Sequence, residues 1–325
     1  MRLRYSICDY LCLYPSSIEL RVMTEDGRSW TNEGLSAEAL KALASGLPAS
    51  RLWSVLLGVL EARASRRTTA SLREQWGKDR FVQPCYVDQR SLHDVDGHLL
   101  AAAAAFEAVE LSPLAPLGVC SSVALASQNK IVSTARGTEV VSDPTNVLAL
   151  ECARRLKEDG GLQVRIATSH RCLRAQVFPK RPGLAAHFRM FCLVSAGHER
   201  ENREFLSGAL AEHINTHLAA LERLGRHGYR TQNRKVRLLA TERNAQLAER
   251  LAKSVNAQVH HQVLEHSYYD GIRFMIDVKA DQDTDMPLID GGAFDWLHKL
   301  CSNNKITFVA SGMGTQLVAY LLRPR

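Results

Sequence analysis

Residues 267–276 read Ser-Tyr-Tyr-Asp-Gly-Ile-Arg-Phe-Met-Ile, and residues 290–295 read Asp-Gly-Gly-Ala-Phe-Asp. A third stretch, residues 308–314, reads Phe-Val-Ala-Ser-Gly-Met-Gly and leads into the apolar end of the chain. Each stretch combines glycines with a short apolar run, which predicts strands that are entered or left through tight turns. A glycine turn also lets the backbone approach a ligand closely, because glycine has no Cβ.

A strand–loop–strand pattern lies upstream of these stretches. Residues 172–176 read Cys-Leu-Arg-Ala-Gln, a loop with Arg-Pro-Gly at 181–183 follows, and residues 187–191 read His-Phe-Arg-Met-Phe. Arginine presents a planar, permanently charged fork that suits phosphate oxygens. Arg174 and Arg189 are therefore candidate phosphate ligands, and the alternative for both is a surface arginine on a strand.

Two helices stand out, one before these motifs and one between them. Ser142-Asp143-Pro144-Thr145 opens one that runs through Arg155, because Ser or Asp caps free amides and proline suits the first turn. The second is predicted over residues 201–224 by a stripe of apolar residues. His213 and His217 lie one turn apart on it, but the glutamate of a zinc-binding His-Glu-x-x-His motif is absent. We expect a surface histidine pair there.

In order and spacing, the motifs of residues 90–325 resemble those of class II aminoacyl-tRNA synthetases, most closely the histidyl-tRNA synthetases. The resemblance implies an α+β fold with a class II synthetase-like antiparallel sheet flanked by helices. We expect this core in residues 86–325, a small α+β N-terminal accessory domain in residues 1–85, and no anticodon-binding domain. It also implies a homodimer that forms through a helix and a strand ending at Pro113 or Pro116.

The resemblance further implies an amino-acid site beside an ATP site, with Mg²⁺ as the accompanying ion and no metal site built from protein ligands. Arg174 and Arg189 would be the catalytic residues. The implied nucleotide-binding residues are Arg174, Gln176, His187, Arg189 and Gly312. The implied substrate-binding residues are Asp143, Thr145, Tyr268, Tyr269, Gly291 and Gly292. Asp143 would hold the amino group of the substrate, or else it only caps its helix; the sequence leaves both roles open.

Several positions lack the charge that the resembling family uses. Leu264 stands four residues before the first tyrosine, where those enzymes have an arginine that stabilises the adenylation transition state. Ala293 and Phe294 replace an arginine and a tyrosine, and positions 315–316 lack the arginine that grips the γ-phosphate. Neutral side chains cannot stabilise developing negative charge in the way that cations do.

These departures favour a histidyl-tRNA-synthetase-like paralogue that keeps an amino-acid and nucleotide pocket but does not charge tRNA. It would act as a regulatory or assembly subunit of a partner enzyme, as the synthetase-derived regulatory partner of ATP phosphoribosyltransferase does. Because Arg174, Arg189 and Asp143 are retained, an alternative is an ATP-dependent ligase that activates an amino-acid carboxylate as an adenylate for a non-tRNA acceptor. A third alternative is an RNA-binding module.

Composition narrows these classes only a little. The net charge of +7 is compatible with RNA, and basic clusters lie at residues 63–67 and 226–235, but few aromatic residues accompany them. Apolar runs are too short to cross a bilayer. The eight cysteines form no C-x-x-C pair and sit among apolar residues, which favours buried thiols in the reducing cytoplasm.

Overall fold

The computed structural model describes residues 36–158, 163–176, 185–255, 258–264, 268–279 and 285–323. Short β-like runs at residues 5–14 and 18–22 predict two strands, which lie outside the described residues. The Arg-Pro-Gly loop at 181–183 also lies outside them.

The sequence predicts helices at residues 37–44 and 50–64, separated by Gly46-Leu47-Pro48, because apolar residues recur there at helical spacing. The described part of the N-terminal segment confirms both regions and adds a third helix. The side chains of Thr68 and Ser71 cap each other's backbone at the start of the third helix. None of the side chains of the second and third helices is buried, so neither adds to a core. A domain boundary after residue 85 stays a prediction. The bounds are α1 Ala37–Lys41, followed by a π-turn at Ala42–Gly46, α2 Ala49–Ala64 and α3 Thr69–Lys78.

The rest of the described chain alternates helices with strands. The helices are α4 (Gln89–Ala102), α5 (Val119–Val123), α6 (Pro144–Glu158), α7 (Glu204–Arg226), α8 (Ala245–Lys253), α9 (Trp296–Cys301) and α10 (Thr315–Leu321). The strands are β1 (Glu107–Ala108), β2 (Leu114–Pro116), β3 (Thr138–Val140), β4 (Gln163–Leu173), β5 (His187–His198), β6 (Lys235–Ala240), β7 (Val259–Val263), β8 (Ile272–Lys279), β9 (Asp285–Phe294) and β10 (Ile306–Gly314).

The alanine-rich run at residues 93–107 predicts a helix there, and helix α4 is shifted from that position to Gln89–Ala102. The Asp88 side chain accepts a hydrogen bond from the Arg90 amide and so starts the helix earlier. Glu107 belongs to β1 instead of the helix, because it pairs with Ile166. The alanine-rich pattern gave the helix but not its ends.

Eight strands form one sheet in the order β1-β4-β5-β10-β9-β8-β6-β7, while β2 and β3 form a separate ribbon. The pairs in the centre are antiparallel, and the pairs β1–β4 and β6–β7 at the two edges are parallel. The α+β fold with a largely antiparallel sheet flanked by helices is therefore confirmed. Since β10 inserts between β5 and β9, the last glycine-containing strand lies directly beside the strand–loop–strand motif.

The two faces of the sheet have different surroundings. Ser169 and Arg189 point towards α4, where Asp96 accepts hydrogen bonds from the Ser169 hydroxyl (2.6 Å) and from Arg189. We name this side the helix face. Side chains alternate along a strand, so Met190 points to the other side, as does Arg174 just beyond β4. We name that side the pocket face.

Helix α7 packs on the helix face through the stripe that the sequence predicts. All six apolar residues of the stripe are buried, which confirms an amphipathic core helix. They are Phe205, Leu206, Leu210, Ile214, Leu218 and Leu221.

His213 and His217 are in the core, so the prediction of a surface pair is wrong. Both side chains are fully buried. The Ser311 hydroxyl lies 2.9 Å from His213 Nδ1 and 2.9 Å from His217 Nε2, and the Ser195 hydroxyl lies 3.0 Å from His213 Nε2. Burial lowers the pKa of His217 to about 3 and that of His213 well below its usual range. Both rings are therefore neutral at neutral pH, and strand serines compensate for their burial.

Candidate functional site

Five of the six predicted substrate residues line one small pocket on the pocket face, which we name the tyrosine pocket, and Gly292 is the one that does not. Its volume is about 20 Å³, enough for roughly one water molecule. A larger ligand must therefore displace side chains, of which Met190 is the most adaptable. The pocket is lined by Asp143, Thr145, Met190, Tyr268, Tyr269, Asp290, Gly291, Phe294, Ala310, Ser311 and Gly312.

Asp143 caps helix α6 and also faces an arginine. Its Oδ1 accepts hydrogen bonds from the Thr145 amide (3.0 Å) and the Thr145 hydroxyl (2.7 Å). Its Oδ2 lies 3.5 Å from Arg174 Nη2. The capping role is therefore present, and the second oxygen is the one that faces Arg174.

Arg174 is the arginine that the sequence places at a phosphate, and the structure buries it beside Asp143, outside the residues that line the tyrosine pocket. The side chain is fully buried, its Nε donates to the Ser142 carbonyl (2.9 Å), and its charge lies 5.1 Å from the centre of the Phe188 ring. Its Nη1 has no hydrogen-bond partner among the described residues. A buried donor left unpaired in this way is costly, so it is the group here with most to gain from an anionic ligand.

A buried ion pair at the base of the pocket escaped the sequence analysis. Arg273 Nε donates to Asp290 Oδ1 (3.0 Å) and Arg273 Nη2 donates to Asp290 Oδ2 (2.7 Å), while the Tyr269 hydroxyl donates to Asp290 Oδ1 (2.8 Å). Both charged side chains are almost completely buried. The ion pair fixes Tyr269 and joins β8 to β9. Both residues stand in the motifs that define the fold, and an arginine in one apolar strand followed by an aspartate in the next is the signal that could have revealed the pair.

Aromatic rings form one wall of the tyrosine pocket. The Tyr268 ring centre lies 5.1 Å from that of Tyr269 and 5.4 Å from that of Phe294, and both contacts are edge-on. Phe294 in turn lies 4.1 Å from Trp296. These contacts place both predicted tyrosines at the pocket, and they pack Phe294 where the resembling family has a tyrosine.

The paired glycines are required by packing inside the protein. A Cβ on Gly292 would lie 2.5 Å from the Ile272 carbonyl oxygen and 2.5 Å from the Tyr269 ring. A Cβ on Gly291 would lie 2.7 Å from the Phe274 ring. Glycine at both positions therefore lets the rings of Tyr269 and Phe274 pack directly against β9. Internal packing explains the two glycines whether or not a ligand also approaches the strand.

The structure does not bring the predicted nucleotide-binding residues together. Arg189 lies on the helix face with Asp96, whereas Arg174 lies on the pocket face, so the two arginines cannot clamp one phosphate chain. His187 also belongs to the helix face, where its ring nitrogens lie 2.6 Å from the Gln83 carbonyl oxygen and 2.9 Å from Arg171 Nη1. Gln176 lies at the end of a described range. Arg174 and Arg189 match the motif by residue type. Their positions along the strands nevertheless place the two side chains on opposite faces of the sheet.

The positions that lack family charges are buried. Leu264, Ala293, Thr315 and Gln316 are each at most 5% exposed. The Thr315 hydroxyl donates to the Arg189 carbonyl (3.1 Å), and no residue in the described ranges hydrogen-bonds to Gln316 Oε1. Neutral side chains thus fill the places where the resembling enzymes have cations, and water does not reach these positions freely.

The residues present do not fit an ATP molecule held by two arginines, because of this separation and the small volume of the tyrosine pocket. Within the described ranges, three or more His, Cys, Asp or Glu side chains nowhere gather as a metal site would require. Nor does any helix in those ranges have the length and apolarity needed to cross a membrane.

Cysteines near the site are buried, as the sequence predicts. Cys120, Cys152, Cys172 and Cys192 are all buried free thiols. Cys120 Sγ accepts hydrogen bonds from Ser142 Oγ (3.2 Å) and Asn146 Nδ2 (3.2 Å), and burial raises its pKa to about 11. These thiols are structural rather than reactive.

Solved structures share this fold, although no protein-family model and no curated protein sequence matches the chain. A histidine–tRNA ligase subunit from Alicyclobacillus acidocaldarius is 14% identical with a TM-score of 0.56, over 74% of this chain and 95% of that one. An ATP phosphoribosyltransferase regulatory subunit/histidyl-tRNA synthetase from Bacillus halodurans C is 14% identical with a TM-score of 0.54, over 73% and 82%. A histidyl-tRNA synthetase from Nostoc sp. PCC 7120 is 11% identical with a TM-score of 0.57, over 74% of each chain.

These identities are low, so the likeness establishes the fold alone. The chain has the class II synthetase-like fold that its sequence motifs implied.

Proposed function

We propose that this chain is a histidyl-tRNA-synthetase-like paralogue that binds an amino acid in the tyrosine pocket without activating it. The observation that carries the proposal is a contrast within one site. The residues that would recognise an amino acid converge on a pocket, while Leu264, Ala293, Thr315 and Gln316 leave it without the cations of adenylation. Arg189, which could have replaced them, faces the other side of the sheet.

In this proposal the bound amino acid is a signal. Its ammonium group meets Asp143, and its carboxylate meets the unpaired Nη1 of Arg174. The protein acts in the cytoplasm as a homodimer and as the regulatory or assembly subunit of a partner enzyme. The solved regulatory subunit with this fold is a precedent for such a role.

Binding is tested by thermal denaturation in the presence of each L-amino acid and of ATP. A ligand that prefers the native state raises stability by about 2.7 kcal/mol at one hundred times its Kd. We expect at least one amino acid to raise the Tm. If none does so at millimolar concentration, the proposal is wrong.

Substitution Gly312→Ala tests whether the tyrosine pocket is the site. The added Cβ would lie 3.0 Å from Met190 Cε and 3.7 Å from Cys192 Sγ, so the flexible methionine end can give way while the methyl group fills pocket space. We expect at least about a tenfold loss of amino-acid affinity, since displacing Met190 for a ligand then costs more. Gly208→Ala is the matched control, because Gly208 lies in α7 with no atom within 4 Å of its added Cβ. Equal affinity in both variants would place the ligand elsewhere.

A second candidate is a ligase that forms an adenylate for a non-tRNA acceptor. Arg174 supports it, because this arginine lies beside Asp143 with one unpaired buried nitrogen. This candidate requires amino-acid-dependent exchange of pyrophosphate into ATP, which the first candidate excludes.

A further inference from the structure

A second, much larger cavity lies at the end of the sheet where β5 and β9 finish and β10 begins. Its volume is about 550 Å³, within the range of small-molecule sites and far above that of the tyrosine pocket. Phe294 lines both spaces and separates them. We name the larger space the charged cavity, since Arg203, Arg243 and Asp270 line it.

Two cations of the charged cavity have no carboxylate partner among the described residues. Arg203 donates to the neutral side-chain oxygen of Asn244. Arg243 makes no side-chain hydrogen bond or ion pair with the described part of the chain. Two guanidinium groups beside one cavity, neither neutralised, favour an anionic group on the ligand.

The acidic side chains of the cavity differ in how they are used. Glu199 accepts from the Phe205 amide (3.0 Å) and the Thr307 hydroxyl (2.9 Å), so it caps α7. Asp295 lies 2.8 Å from Lys299. Asp270 has no side-chain partner in the described ranges, which leaves one carboxylate to attract a positive group.

Neighbouring contacts fix the backbone positions of Arg243 and Asp270. Asn244, which accepts from Arg203, is followed along the chain by α8 and preceded by Arg243. A Cβ on Gly271 would collide with the Asn244 side chain, so this segment packs tightly against the residue after Asp270. The Asp270 amide donates to the Ala293 carbonyl (2.8 Å), which ties Asp270 to the end of β9. Leu206 and Phe308 supply an apolar wall.

We propose that the charged cavity is a second ligand site, specific for a small zwitterion of the α-amino acid class. The carboxylate binds Arg203 and Arg243, the ammonium group binds Asp270, and the side chain lies along Leu206 and Phe308. This site is independent of the tyrosine pocket, so either site can exist without the other.

The test is isothermal titration calorimetry with each L-amino acid. Every amino acid that binds is then compared with two analogues, the amine that lacks its carboxylate and the acid that lacks its amino group. Arg243→Gln is expected to weaken amino-acid binding by about tenfold or more, since a charge-assisted contact is lost. Asp270→Asn is expected to remove the preference for the amino acid over the matching acid. Both residues are exposed, so the fold is preserved.

Arg226→Gln is the matched control, because it removes the same charge from the far end of α7. It should bind like the parent protein. The proposal is overturned if no amino acid binds, if Arg243→Gln binds as tightly as Arg226→Gln, or if the amine and the acid bind as well as the amino acid. Gly312→Ala separates the two sites: it should leave binding in the charged cavity intact even if binding in the tyrosine pocket is lost.

Discussion

Replacing Asp290 with asparagine is expected to lower the free energy of unfolding by about 3–5 kcal/mol, a large part of a domain's total stability. The reason is that Arg273 loses the carboxylate that it contacts through two nitrogens inside the protein, at 2.7 and 3.0 Å. Tyr269 loses a charged acceptor at the same time. Urea denaturation monitored by circular dichroism measures the loss.

Two variants control this prediction. Glu222→Gln breaks an ion pair with Arg226 in which both side chains are more than half exposed, and it should cost less than about 1 kcal/mol. Combining Asp290→Asn with Arg273→Met should recover part of the loss, because a buried charge is removed with its partner. A loss for Asp290→Asn no larger than that for Glu222→Gln would show that the buried pair does not hold β8 to β9.

Acidification is expected to destabilise the protein steeply, because two histidines are buried in neutral form. The unfolded chain binds protons at His213 and His217 below a pH of about 6.5, whereas the folded pKa of His217 is about 3. The unfolded state therefore binds more protons, and the stability present above pH 6.5 is lost as the pH falls towards 3. Each histidine contributes about 1.4 kcal/mol per pH unit in that window.

The dependence is measured as the free energy of unfolding between pH 7 and pH 4.5. His217→Gln should flatten the slope whatever its effect on stability at pH 7, since one proton-binding difference is removed. A parent protein whose stability does not change over this range would contradict the buried neutral pair.

The fold was predictable because its strongest signals are local. The apolar stripe of α7 and the capped start of α6 both appear in the structure close to their predicted positions. The glycines at 291 and 292 mark β9 because only residues without a Cβ admit the Tyr269 and Phe274 rings. The ends of α4 were less predictable, since the pairing of Glu107 with Ile166 depends on a strand far along the chain.

The site was predictable only where the residues of a sequence motif lie side by side in the tyrosine pocket. Tyr268, Tyr269, Gly291 and Asp143 lie together as the motifs implied. Arg189 does not join them, because the pairing of β5 with β4 turns its side chain to the opposite face. The buried His213 contacts serines in β5 and β10. The residue pattern of helix α7 alone gives no information about those distant strands, so it could not predict that the histidine is buried.

We infer that this protein recognises an amino acid but does not form an adenylate. The most direct test of this inference is amino-acid-dependent exchange of radiolabelled pyrophosphate into ATP, with an active histidyl-tRNA synthetase as positive control and every L-amino acid assayed. We expect pyrophosphate exchange no higher than the enzyme-free background, including for each amino acid that raises the Tm. Robust exchange with any amino acid would contradict it.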